Sequence, residues 1–325
     1  MEIVTADIGG THARFAIAKI AGGQVRELSE PMTLKTSEHA SFQTAWEDFR
    51  SSVGGTLPRA VSIAIAAPIQ GEIIKLTNNP WIIRPALMRE KLSVDDYILV
   101  NDFEAVGHAV AHAAPEHFLH LSGPDQALPA QGVISILGPG TGLGAAYVLR
   151  DQSGYHVQAT EGGHIEFAPL DSIEDAIVAR LRKRHRRVSV ERIVSGPAIA
   201  DIYEALAHIE GRAILQLDDQ QIWSAGMSGE DSLAAAAIDR FCLSLGSVAG
   251  DIALAQGAQA AVIAGGLGLR IKECLVRSGF TDRFCAKGRF EGLMAALPVK
   301  IITHPQPGLF GAAAAFAQKM EKQNA

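Results

Sequence analysis

Cysteine is scarce in this chain of 325 residues: Cys242, Cys274 and Cys285 are the only three, and no two form a CxxC pair. That pattern excludes a disulfide framework or a zinc knuckle and fits a reducing compartment. Positive charge is not in excess either. Lys and Arg number 29 against 35 Asp and Glu, a formal net charge of −6, which disfavours a generally basic nucleic-acid binder. No uninterrupted apolar run reaches the ~18 residues of a spanning helix. The first residues, Met1-Glu2-Ile3-Val4, meet Asp7 without the basic start and long apolar stretch of a secretory leader. A cytoplasmic protein with no membrane and no nucleic-acid partner is therefore expected. No low-complexity linker interrupts the chain. No GxxxxGK[ST] segment occurs, so a Walker phosphate loop is excluded.

Apolar residues make up 48% and charged residues 20%, enough for a sizeable core. At about 150 residues per domain, the length suggests two domains or one large one. The opening reads as strand ("EIVTADI"), turn (Gly9-Gly10-Thr11-His12), strand ("ARFAIAKI"). "RAVSIAIAAPI" and "DYILVND" read as buried strands, and "FEAVGHAVAHAA" as a helix. The opening pattern then returns in "GVISILGPGTGLGAAYVLRD". Matching Thr11 to Thr141 places one copy 130 residues after the other, which suggests two related α/β halves. From Leu233 to Ile252 apolar residues recur every three or four positions, a long helix stopped near Gly257. "AAVIAGG" reads as a strand closing on a glycine pair, and the end as a helix entered after Pro307-Gly308. The basic run Arg180 to Arg187 reads as a solvated helix face and loop.

Glycine is abundant, 32 residues, and three glycine-rich turns each follow a strand: Gly9-Gly10-Thr11, Gly138 to Gly144, and Gly265-Gly266. Successive backbone N–H groups in such turns bind phosphate, and glycine allows close approach. Gly140 to Ala145 also fits the dinucleotide pattern GxGxxA, with Glu161 downstream as a ribose contact. That pattern needs a helix straight after the glycines. "AAYVLRDQSGYHVQAT" instead alternates around Ser153-Gly154, a hairpin, so a nicotinamide site is excluded.

Two polar clusters sit at strand ends. In Asn101-Asp102, the aspartate either faces a cleft from a rigid strand or serves as the N-cap of the following helix. In Glu161-Gly162-Gly163-His164, an acid and an imidazole flank tight backbone. Glu161, His164 and Glu191 together suit sugar hydroxyls, which each donate and accept; taken singly, such residues are as readily structural. His164 and Glu166 as metal ligands lack a third partner at the usual spacing.

"ADIGGTHARFAI", "IAIAAPIQGEIIKLTNNPW", "LVNDFEAVGHAV", "LGPGTGLGAA", "EGGHIEFAP", "VERIVSGPAI", "AVIAGGLG" and "HPQPGLFGAAAAF" occur in an order and spacing that resemble the bacterial glucokinases, from Thr5 to Phe316. The chain lacks the cysteine-rich zinc motif of the related repressor/open-reading-frame/kinase (ROK) sugar kinases, so it resembles the zinc-free group. The resemblance implies an α/β, two-domain actin-like, ribonuclease-H-like fold with an interdomain cleft. Residues 1–101 plus 305–325 would form the small domain and 102–304 the large one. It implies phosphorylation of glucose at O6 by ATP with Mg²⁺, and a homodimer. A kinase for another hexose and a catalytically inactive sugar-binding regulator are the alternatives. By resemblance, Ala6, Asp7, Ile8, Gly9, Gly10 and Thr11 lie along the ATP phosphates, with Asp7 reaching Mg²⁺ through water. Gly140, Thr141 and Gly142 form the second phosphate turn, and Gly265 and Gly266 a loop on the nucleoside side. Asp102 matches the catalytic base, a role for which an ordinary carboxylate pKa is adequate. Asn78, Asn101, Asp102, Glu161, His164 and Glu191 match the sugar-binding set. The segment "GGLGLR" departs from many relatives in the residues after the glycine pair.

Overall fold

The computed structural model describes residues 1–76, 79–214 and 216–324. The chain forms two compact units: Met1–Ala114, Val157–Ala159 and His304–Ala325 in the first, Pro115–His156 and Thr160–Thr303 in the second.

In the first unit, β1 (Glu2–Ile8) and β2 (His12–Ala21) form an antiparallel hairpin, extended by β3 (Gln24–Leu28) and β4 (Met32–Lys35) on β2. On its other side β1 pairs in parallel with β5 (Ala60–Ile65). A two-stranded hairpin, β6 (Ile74–Lys75) with β7 (Ile82–Ile83), stands apart. The edge strand β8 (Asp96–Asn101) pairs in parallel with β5. Every residue of β5 is buried, as an apolar run with both faces covered must be. One face carries α1 (Phe42–Ser52), whose Phe42, Trp46 and Phe49 pack around Phe15. The short α2 (Met88–Leu92) closes that core with Met88 and Leu92. The other face carries α3 (Asp102–His112) and the C-terminal α12 (Pro307–Asn324). Alanines 312–315 keep α12 thin enough for the sheet to reach its backbone. The buried hydroxyls of Thr5 and Ser62 donate to the carbonyls of Leu309 and Ala312. The division expected from the sequence falls after Asn101, whereas the compact units part after Ala114, because α3 packs beside α12.

In the second unit the sheet order is β12-β11-β10-β13-β14-β9, built from β9 (Phe118–Ser122), β10 (Gly132–Pro139), β11 (Leu143–Asp151), β12 (Gly154–Thr160), β13 (Ala260–Ile263) and β14 (Val299–Ile302). Its hairpin and two parallel strands repeat the β2-β1-β5-β8 path of the first unit, which bears out the internal repeat. The copies are not identical. Four residues separate Ile8 from its partner Ala13, but three separate Pro139 from Leu143, so the second turn is one residue shorter.

Helices α4 (Ser172–Arg182), α5 (Ala198–Ile209) and α6 (Asp219–Ser228) surround α7 (Ser232–Ala255), and α8 (Gly265–Arg270), α9 (Lys272–Arg277), α10 (Phe280–Cys285) and α11 (Glu291–Ala295) follow. Helix α7 is long and apolar enough on average to cross a membrane, but most of it is buried in this core. The glycine pair 265–266 lies inside the first turn of α8, not in the loop expected from the sequence. The basic run is held by acids: Arg180 pairs with Glu204, Arg184 with Asp201 and Arg187 with Glu166.

Candidate active site

The parallel strands of the first unit end together. Pairing sets Ile8 beside Ile65 and Ile65 beside Asn101, so Asp7 and Asp102 arrive at one carboxyl edge of the sheet. Open α/β sheets bind ligands at that edge. The turn from Gly9 to Thr11 is anchored through its carbonyls. Gly9 O accepts from Asn79 Nδ2 at 3.5 Å, Gly10 O from Thr36 Oγ1 at 2.7 Å, and Thr11 O from Thr36 N at 3.0 Å. In a trans peptide N–H and C=O point opposite ways, so the N–H groups of Gly10 and Thr11 face away from these anchors. An anion meeting this turn finds donors.

Asp102 is not the helix cap. Asn101 holds that role: its Oδ1 accepts from Phe103 N at 2.9 Å and Glu104 N at 3.3 Å, and Glu104 completes the capping box. Asn101 Nδ2 donates to Ala67 O at 3.3 Å. Asp102, first residue of α3, accepts from the adjacent Phe103 N–H at 3.0 Å, and its own N–H and the Asn101 side chain also donate toward it. Burial first, and the charge of Asp7 second, lift its pKa to about 6, against the pull of nearby N–H donors. An ordinary carboxylate value would suffice for a base, and here it lies higher. Burial likewise raises Asp7, with Arg14 opposing it from 3.5 Å. Asp7 carries negative charge to the same sheet edge as Asp102 and raises it, with Arg14 alone pairing Asp7, a carboxylate arrangement that suits a divalent cation. Asn78 lies outside the described residues.

In the second unit the turn Gly140-Thr141-Gly142 closes on itself through Gly140 N to Gly142 O at 2.8 Å. Gly140 O accepts from Gly196 N at 2.7 Å, so the Thr141 N–H faces the opposite way. Leu143 N donates to Glu191 Oε2 at 2.9 Å. Glu161 precedes the 3₁₀ turn Gly162–His164, and its Oε2 lies 3.8 Å from His164 Nε2. The segments 161–167 and 188–191 are laced together by Phe167 N to Val188 O at 3.1 Å and Val190 N to Ile165 O at 2.9 Å. Glu161, His164 and Glu191 thus belong to one patch beside the second turn. Glu166, paired with Arg187 at 3.2 Å, is engaged elsewhere.

Sequence reasoning missed most of a cavity of about 300 Å³ in the same unit, lined by Gly140, Thr141, Gly196, Pro197, Asp219, Gln220, Trp223, Gly266, Leu267 and Arg270. Trp223 anchors it. Its Nε1 donates to Gly196 O at 2.9 Å, its ring stands edge-on to Phe241, and the Arg270 guanidinium lies 5.5 Å above it. The only sequence signals were Gly266 and Arg270 in "GGLGLR" and Gly196-Pro197 in "VERIVSGPAI".

Residues 4–319 match the family model described as Glucokinase. A curated glucokinase of Zymomonas mobilis is 60% identical over 319 residues, 98% of both chains. The crystal structure of a glucokinase from an Antarctic psychrotroph superposes with a TM-score of 0.86 at 33% identity, covering 98% of this chain and 99% of that one. A ROK family glucokinase from Streptomyces griseus, solved with glucose and AMPPNP, shares the fold at 16% identity and a TM-score of 0.64, covering 98% of this chain and all of that one.

Proposed function

Since the chain belongs to the glucokinase family, we propose that the reaction it carries out, phosphorylation of glucose by ATP, uses Asp102 as its general base. The fold is the two-domain actin-like α/β fold of the glucokinases and ROK sugar kinases. The carrying observation is Asp102 itself: at the carboxyl edge of the sheet, relieved of capping by Asn101, with a pKa of about 6. A base poised nearer the operating pH than a free carboxylate is a stronger proton acceptor at little loss of ionised fraction.

Asp102 accepts the O6 proton as O6 bonds to the γ-phosphorus and the bond from that phosphorus to the bridging oxygen of ADP breaks. The outward N–H groups of Gly10 and Thr11, and of Thr141, supply donors for phosphate oxygens. The Trp223 cavity takes the nucleoside. Asn101, Glu161, His164 and Glu191 accept and donate to the sugar hydroxyls. Magnesium, when bound, neutralises phosphate charge; Asp7 would hold it through water. The missing cysteine-rich motif supports membership of the zinc-free group, and the reducing-type cysteine usage supports a cytoplasmic enzyme. The family resemblance supports a homodimer.

A coupled assay for glucose 6-phosphate tests the reading. Wild type turns over, and Asp102→Asn loses ~10²–10⁴ in kcat with glucose affinity kept within about tenfold. Near-normal kcat in Asp102→Asn would remove Asp102 as the base.

A further inference from the structure

Glu191 stands where two groups of residues meet. Its Oε2 accepts from Leu143 N at 2.9 Å, and a Cβ on Gly142 would strike that same oxygen. On the other side of the strand start, a Cβ on Gly163 would strike Leu143 O. The start of β11 is therefore bracketed at Leu143, its N–H held by the segment carrying Glu191 and its carbonyl packed by the one carrying Glu161 and His164. Leu143 itself is buried in the core, so the phosphate turn is fixed at its far end as well. The near end, Thr141, is exposed.

We propose that Glu191 is a positioning residue that couples sugar occupancy to the phosphate turn: Oε2 holds the Leu143 N–H while Oε1 accepts a sugar hydroxyl. The inference rests on the sugar-site reading above and adds a second duty to one of its residues. With the sugar absent, only the Leu143 N–H fixes the carboxylate, which retains freedom about its last torsion. A hydroxyl donating to Oε1 fixes that torsion, and with it the Gly142–Leu143 peptide. A nucleotide then meets a turn already ordered and binds at a lower entropic cost. The coupling is reciprocal, so a bound nucleotide tightens the sugar by the same factor.

The test is calorimetric titration of the full-length protein with AMPPNP and magnesium, with and without saturating glucose. In wild type, glucose tightens AMPPNP at least about fivefold, the lower end of ordinary coupling between sites. In Glu191→Ala the factor falls below twofold even when glucose is raised to saturation, whereas loss of a sugar contact alone would weaken glucose but leave the factor at its wild-type value. In Gly142→Ala, which pushes the carboxylate off the Leu143 N–H while keeping the acid at 191, the factor also falls below twofold. Melting curves confirm folding, and Glu191→Gln, which keeps an acceptor for Leu143 N–H, serves if either variant unfolds: its AMPPNP affinity without glucose stays within about twofold of wild type while the coupling drops. A wild-type coupling factor of one, or one that survives in Glu191→Ala, overturns the inference with the sugar-site reading intact. Absence of any glucose binding to wild type defeats that reading instead, and the inference with it.

Discussion

The carboxylate of Asp7 rests on the backbone of Gly308, where a Cβ would lie 2.6 Å from Oδ2 and 2.8 Å from Cγ. Gly308 is the second residue of α12, and Thr5, two residues before Asp7, is bonded to the next carbonyl of the same helix. The start of α12 therefore sets where the Asp7 carboxylate points.

Gly308→Ala is expected to swing that carboxylate aside. Asp7 is short and its Cβ is also within contact, so it has no slack to absorb a methyl group. kcat/KM for Mg·ATP should fall about tenfold or more, with glucose Kd within about twofold of wild type. Alanine favours a helix over glycine by ~1 kcal/mol, so a general loss of fold is not the expected cause. Unchanged kcat/KM in steady-state kinetics would show that the aim of Asp7 is immaterial.

Asp102 carries a cost in stability whose sign follows from its raised pKa. Between the unfolded value of 3.8 and the folded value of about 6, the native state binds more protons. Stability therefore falls as pH rises through that window, and above it the whole penalty, on the order of 1–3 kcal/mol, is present. Asp102→Asn removes the titration. It should melt higher than wild type at pH 7.5 and show a shrinking advantage toward pH 4. In wild type, kcat/KM for glucose should decline below about pH 6 as the base is protonated. Asp7→Asn removes the second cause of the shift and should move that limb to lower pH. Equal melting temperatures at both pH values would contradict the raised pKa.

What was legible in the sequence is what local pattern encodes. Both glycine-turn hairpins, the strand from Asp96, the helix after it and the long helix from Ser232 all stand where periodicity and turn residues put them. Local ambiguity accounts for one choice left open and one misplacement. Asn and Asp cap equally well, so the choice of Asn101 over Asp102 turns on strand register, which sequence does not display. Gly265-Gly266 resembles a loop by composition, yet tertiary packing draws it into α8. The Trp223 cavity was hidden for another reason. Gly196, the α6 pair Asp219 and Trp223, and Arg270 of α8 come from separate segments and converge only through tertiary packing.

That cavity yields its own test. Arg270→Ala removes the cation over Trp223 and one wall together, a loss of about 0.5–2 kcal/mol for a cation–π contact, so KM for ATP should rise roughly 2- to 30-fold. Trp223→Ala should do more damage, because Nε1 also fixes Gly196 and through it Gly140. Glucose affinity measured without nucleotide should stay within about twofold in Arg270→Ala. A selective rise in the glucose Kd would mean that the cavity holds something other than the nucleoside.

His164 is expected to act through binding alone. Its side chain is 59% exposed and that of its partner Glu161 76%, so water satisfies both in the free protein. Removing the imidazole therefore leaves no buried group stranded, and His164→Ala should shift stability by no more than about 0.5 kcal/mol. The loss appears only once sugar has displaced that water. A net hydrogen bond of ~0.5–1.5 kcal/mol corresponds to a glucose Kd raised roughly 2- to 13-fold, with ATP binding unchanged. Discrimination against the deoxyglucose that lacks the contacted hydroxyl should shrink by the same factor, since the variant has nothing left there to disappoint. If His164 only braced the glycine turn, the order would reverse: melting temperature would drop and the preference among sugars would not move. Titrating glucose and a set of deoxyglucoses against both proteins, beside their melting curves, decides between the two. Identical deoxyglucose penalties in wild type and variant would take His164 out of the sugar site.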